Sequence, residues 1–300
     1  MKKLLIILTL FFSLYARAQT EKCGFDLLQE HWFSDNPKDY DLNRAAHINR
    51  ITRFRQQNPN PNYLTNPNPP SGSGNFLVAS GCPQATYIIP VVVHVIRHPG
   101  VPATNLDTLL IQKQIDILNK AFRNDASTPF PSVNTGIQFC LAKRKPDNTP
   151  FNGIIYTTST QSNHTVEEIQ NLAALSYFPA ERYLNLYVVK RITFPSSLDS
   201  AVVGYSTPVA NQLKYEGVVV DYNWFGSNAI SSSPFHTDSK GHTLIHEIGH
   251  YLGLFHPFQG ACAGSTKATC ATDGDLCCDV PQVAAPNPTC SNSLNTCFED

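Results

Sequence analysis

Methionine is all but missing from this chain of 300 residues, where Met1 is the only one. Charge is sparse as well: 15% of residues are charged, and 22 lysines and arginines stand against 23 aspartates and glutamates for a formal net charge of -1. That balance leaves no electrostatic footprint for a phosphate backbone or an anionic bilayer, so nucleic acid drops out as the main partner. After Leu14 no stretch is apolar enough over the roughly 20 residues needed to cross a membrane, and no internal repeat is visible. With 42% hydrophobic residues the chain can bury a core in at most two ordinary domains, which excludes wholesale disorder.

The first residues set the compartment. Lys2 and Lys3, the apolar run Leu4 to Leu14, and Ala16-Arg17-Ala18 have the charge, length and small-residue spacing of an export signal over 1–18, cut after Ala18. The apolar run is short for an anchor. Cys23 follows Thr-Glu-Lys rather than the small apolar residues that precede a lipid-modified cysteine. The nine cysteines therefore face an oxidising, secreted or extracellular setting in which disulfides persist. Residues 19–84 read as a pro-segment with one short helical pattern, Leu42 to Phe54, followed by a linker. Asn58-Pro59-Asn60-Pro61 and the run from Asn66 to Gly74 forbid helix there and invite proteolytic nicking.

From Tyr87 the texture changes. Tyr87 to Ile96 is β-branched and almost continuously apolar, as expected of a strand buried on both faces. Leu109 to Phe122 spaces Ile111, Ile115, Leu118 and Phe122 as the stripe of an amphipathic helix. Ile137 to Leu141, Leu184 to Val189 and Gly217 to Tyr222 read as strands, and Val166 to Leu175 as a helix with Glu167 and Glu168 in its first turn. Strands alternating with helices suggest one mixed α/β (α+β) sheet domain over 85–300.

The chemistry is concentrated in His246-Glu247-Ile248-Gly249-His250-Tyr251-Leu252-Gly253-Leu254-Phe255-His256, which fits HExxHxxGxxH at every fixed position. On a helix, His246 and His250 lie about 40° apart and one turn along, so both imidazoles can reach one ion. Glu247 sits on the same turn, within reach of a water held by that ion. Gly253 can take positive φ, end the helix and return His256 to the metal, and three neutral imidazoles leave a fourth position open, as in catalytic zinc sites. Chance would match five fixed positions on the order of once in 10⁵ chains of this length, which sets aside a surface helix with incidental histidines. Leu244, Ile245, Ile248, Leu252, Leu254 and Phe255 are expected to bury the helix on nearly every side. His242, one turn earlier, reads as a hydrogen-bonded or exposed histidine.

These residues resemble the metzincin clan of zinc metallopeptidases, and the wider setting is similar to its pappalysin family, in particular the secreted bacterial cytophagalysins. The narrower likeness is carried by Ile89 to Ile96, by Gln114 to Phe122, by Gly217-Val218-Val219-Val220 and by Phe258-Gln259-Gly260. The resemblance implies a zincin-like catalytic domain with a mixed twisted sheet, an active-site helix and an irregular lower subdomain. It also implies a methionine turn beneath the metal, a segment that would be expected just beyond Asp300. Pro257 stands where the family often has threonine.

After His256 come Cys262, Cys270, Cys277, Cys278, Cys290 and Cys297 in a segment of low apolar content that needs covalent staples, with a cluster of zinc-binding thiolates as the rival reading. The resemblance implies a Cys262–Cys297 bridge. Asp275 and Asp279 resemble a family loop that gives oxygen ligands to calcium, and such carboxylates suit a solvated turn equally. Cys23 either forms a disulfide with Cys82 or Cys140, or is a latency switch whose thiolate would take the open coordination position. The resulting expectation is a monomeric secreted zinc endopeptidase acting on protein or peptide through Glu247, with a substrate extended along Val218 to Asp221 as edge strand by resemblance. A binding or adhesion protein that keeps the fold without activity is the alternative.

Overall fold

The computed structural model describes residues 22–23, 87–100, 106–123, 134–194, 197–207, 215–226, 240–264, 266, 269–270, 272–277, 282–286 and 296–297. The export signal, the helical pattern at Leu42 to Phe54 and the Pro/Asn linker lie outside these residues. In chain order the elements are β1 (Lys22–Cys23), β2 (Tyr87–Arg97), α1 (Thr108–Arg123), β3 (Ile137–Leu141), β4 (Ile154–Thr158), β5 (Asn163–Thr165), α2 (Ile169–Leu175), β6 (Leu184–Val189), β7 (Arg191–Phe194), β8 (Ser197–Ser206), β9 (Val218–Asp221) and α3 (His242–Tyr251).

Among the described residues nine strands join one mixed sheet. β2 pairs in parallel with β3, β4 and β6, and β6 with β9, whereas β8 runs antiparallel to β7 and β9. The apolar runs become the central strands because both their faces are covered. Val218 and Val220 of β9 join Val91, Val93 and Val95 of β2, Leu186 and Val188 of β6, Ile111, Ile115 and Leu118 of α1, and Leu244 and Ile248 of α3 in one core layer. Val219, on the opposite face of β9, joins Tyr187, Ile192, Tyr205 and the α2 residues Ile169 and Leu172 in the other. Each such side chain contributes roughly 1.5–3 kcal/mol when removed from water, so the sheet and its flanking helices hold together by apolar burial.

Two expectations need correction. The helix begins at Ile169, not Val166, because the Val166 N–H is used by the Thr193 carbonyl at 3.1 Å as an extension of β5, and Glu168 N–H closes a turn on Thr165. Val218 to Asp221 is no edge strand: β9 lies between β6 and β8 and is buried along its whole length. A continuous valine run is the signature of a central strand. The edge belongs to β8. Val202 pairs with Ile192 of β7 and with Lys22 of β1, and Gly204 pairs with Val220 of β9 and with Cys23 of β1. Since a strand residue has one neighbour on each side, β7 and β9 share one edge of β8 and β1 lies in parallel along the other.

Beyond His256 the described chain is a succession of turns. The Cys262–Cys297 bridge is present, with Cα atoms 5.5 Å apart, and Cys140 and Cys270 are also disulfide-bonded. Asp275 organises the loop between them: its Oδ1 accepts from Cys277 N–H at 3.0 Å and from Gln282 Nε2 at 3.2 Å, while Gln282 Oε1 accepts from Gly264 N–H at 2.9 Å.

Candidate metal centre

The start of α3 is fixed from a distance. Gln114 of α1, fully buried, donates from Nε2 to the Gly241 carbonyl at 3.0 Å and accepts on Oε1 from Gly226 N–H at 2.7 Å. Gly241 takes the left-handed φ of 76° at the N-cap. One amide therefore joins two chain points on either side of residues 227–239 and sets where the helix begins. Leu244, Ile248 and Tyr251 then anchor it in the core layer, and this face also buries Glu247 and His250. His246 is exposed. The helix is not enclosed as the sequence suggested, because Leu252 and Leu254 are 38% and 55% exposed; its outer side borders an open surface.

The end of α3 is a Schellman turn, in which Leu254 N–H reaches the Gly249 carbonyl and Gly253 N–H the His250 carbonyl, both at 2.9 Å. Gly253 has φ of 100°, the conformation this turn demands. The turn also brings the Leu254 carbonyl to 2.7 Å from His250 Nδ1. A carbonyl can only accept, so Nδ1 carries the proton and Nε2 presents a lone pair. Burial first, then the neighbouring His246 and His256, lower the His250 pKa to about 3, which keeps the ring neutral. His256 arrives from the far side of the turn, buried and stacked on Phe258 with ring centroids 4.6 Å apart.

The three Nε2 atoms converge: His246 to His250 is 3.0 Å, His250 to His256 3.1 Å and His256 to His246 3.1 Å. With its proton on Nδ1, His250 can only accept at Nε2, so it cannot donate to either neighbouring ring. Three imidazole nitrogens facing one another at this spacing fit a dication with bonds of about 2.0–2.1 Å to imidazole nitrogen. Among the described residues this is the only group of three or more potential ligands gathered within 4.8 Å. His242 is not in it; half-buried, its pKa is lowered by burial and then by Lys240.

Glu247 is fully buried, and its Cγ and Oε1 lie against the backbone of Gly204 in β8. The carboxylate thus borders the edge strand. Two residues that organise this arrangement escaped the sequence reading. Gln114 sits in an ordinary helical stripe and carries no local signal. Gly204 could have been found through the rule that a glycine inside a strand marks a close approach, had β8 been recognised. Of the remaining candidates, Asp275 is buried in its loop and Asp279 lies outside the described residues, whereas Cys23 has a described backbone, paired opposite Gly204.

A model of the peptidase family described as pregnancy-associated plasma protein-A matches residues 151–300, half of the chain. The chain belongs to this family, the pappalysins. Among similar proteins are extracellular metalloproteases of Sordaria macrospora, 27% identical over 74% of this chain and 66% of its own length, and of Neurospora crassa, 28% identical over 72% and 71%. Solved structures give the same answer. Mature mirolysin of Tannerella forsythia, in complex with a cleaved peptide, is 30% identical over 67% of this pappalysin and 73% of its own chain, with a TM-score of 0.52. A mutant of promirolysin matches at 25% identity over 87% and 76%, with a TM-score of 0.57.

Proposed function

We propose that this pappalysin is an exported zinc endopeptidase made as a latent precursor. The reading is carried by one observation, the convergence of three imidazole nitrogens, two of them from the helix that also carries the buried Glu247. His246, His250 and His256 would hold the ion. Zinc, when bound, supplies a Lewis acid for the scissile carbonyl and acidifies water. Glu247 takes a proton from the attacking water and returns it to the leaving amine, and its burial shields that transfer from bulk solvent. The Leu254 carbonyl holds His250 in the ligating tautomer.

The substrate would be an extended peptide that adds to the outer edge of β8, where backbone hydrogen bonds are sequence-tolerant. In the chain as it stands β1 takes that edge, with Cys23 level with Gly204. This supports reading residues 19–84 as a pro-segment and Cys23 as its latency residue, as does the larger share of the chain covered by promirolysin than by mature mirolysin. Removal through the 58–74 linker would free the edge. The names of the extracellular relatives support export. Calcium at Asp275 and Asp279 belongs to the same proposal: added calcium is expected to raise the melting temperature of the wild type and not of an Asp275→Asn variant.

The test is chelator-sensitive hydrolysis of casein by protein cleaved in the linker, with Glu247→Gln as control. The variant should retain one zinc per chain and lose at least about a thousandfold in turnover. Loss of zinc on that change, or hydrolysis that persists in chelator, would overturn the assignment. If Cys23→Ala leaves the uncleaved precursor as inactive as before, the latency role fails.

A further inference from the structure

We infer that Gly204 is a positioning residue for Glu247: the missing side chain lets the substrate-binding edge strand touch the carboxylate and fixes where that carboxylate stands. This rests on the peptidase reading above and extends it to a residue outside the zinc motif.

Gly204 is not among the described glycines with positive φ, so its backbone conformation would accept any residue. Space is what forbids one. A Cβ built there would lie 2.9 Å from Glu247 Cγ, 3.1 Å from Glu247 Oε1 and 3.2 Å from Thr243 Cγ2. Thr243 and Glu247 are one helical turn apart on α3, so the strand backbone rests along the helix face that carries the carboxylate.

Neither element can retreat cheaply. The next residue on β8, Tyr205, is fully buried on the opposite face of the sheet, and its hydroxyl lies 2.6 Å from His164 Nε2 with the two rings stacked. Gly204 itself is paired to Val220 of β9. On the other side, Leu244 and Ile248 hold α3 in the core and Gln114 holds its start. An added methyl group must therefore be absorbed by Glu247. Since β1 shows that an extended backbone pairs with β8 at Gly204, the same contact sets the distance between such a backbone and the carboxylate.

The experiment is Gly204→Ala in the full-length protein, assayed after cleavage in the linker and melted with and without a second change, Glu247→Ala. The expected result is a kcat reduced roughly ten- to a hundredfold with KM within about twofold and one zinc retained per chain, as for a misplaced catalytic group. A wild-type kcat, or a rise in KM alone, overturns the inference. An inactive wild type would instead sink the peptidase reading, and the melting arm still decides the contact. Alanine ends at Cβ and lacks the Cγ and Oε1 that the methyl group would meet, so Gly204→Ala should lower the melting temperature, or impair folding, clearly less in the Glu247→Ala background. Equal losses in both backgrounds, including failure of both to fold, overturn it.

Discussion

The sheet with its helices and the segment beyond His256 are stabilised by different physics. In the first, Val91, Val93, Leu186, Val220, Leu244 and Ile248 interlock in one apolar layer. In the second, the chain passes from turn to turn and relies on the Cys262–Cys297 bridge and on Asp275 and Gln282, which satisfy backbone and side-chain groups within the loop. Of the three histidines that could hold an ion, His246 and His250 belong to the first region and His256 stands at the border of the second. A bound ion would therefore join a region held by apolar burial to one held by a bridge and a few hydrogen bonds.

That contrast can be broken in order of expected effect. Removing zinc with a chelator should cost about 4 kcal/mol of stability when the ion is present at a thousand times its Kd, with amide exchange accelerating in 257–264 before β2 or β6. Uniform acceleration across the sheet would erase the distinction. Replacing Cys262 and Cys297 by serine opens a loop with a sequence separation of 35, and a loss of about 3–4 kcal/mol is expected, confined to the same segment in hydrogen exchange. Gln114→Leu should cost about 2 kcal/mol, because the Gly226 N–H and the Gly241 carbonyl lose their partner. It should loosen the start of α3 and leave the segment beyond His256 unchanged, as read by exchange at 242–246.

The smallest effect concerns the sheet alone. Burial lowers the pKa of His94 to about 4 and of His164 to about 3, each from 6.5. Both are neutral when folded and protonate more readily when unfolded, so protons favour the unfolded chain. Stability is complete above about pH 6.5 and declines toward pH 4. Between pH 7 and 5.5 each should cost about 1 kcal/mol in urea unfolding. That cost is read as the part of the pH dependence lost in a His94→Gln or His164→Gln variant, because burial raises the Asp221 pKa to about 7 and that carboxyl works in the opposite direction. A dependence unchanged by either substitution would show that these rings are not buried.

The meeting of His246, His250 and His256 was legible because helical spacing and a single glycine determine it locally: His246 and His250 share a face and Gly253 turns the chain. Strands β2, β6 and β9 were legible through their unbroken apolar runs. β4, β5, β7 and β8 were not, since Tyr156-Thr157-Thr158, Asn163-His164-Thr165 and Ser197 to Ser206 mix polar residues into strands and carry no clean period. Placing the edge at Val218 to Asp221 failed for the related reason that sheet order is a long-range property. Gln114 was invisible because its meaning comes from Gly241, 127 residues away.

The Schellman turn also limits how this sequence can vary in length. Between His250 and His256 the backbone groups of Gly249, His250, Gly253 and Leu254 are committed, one to a ligand ring and the rest to each other. An extra residue or a deletion there would shift the Leu254 carbonyl off the imidazole and swing the third histidine away together, so the stretch should tolerate exchange of side chains far better than any change in residue count.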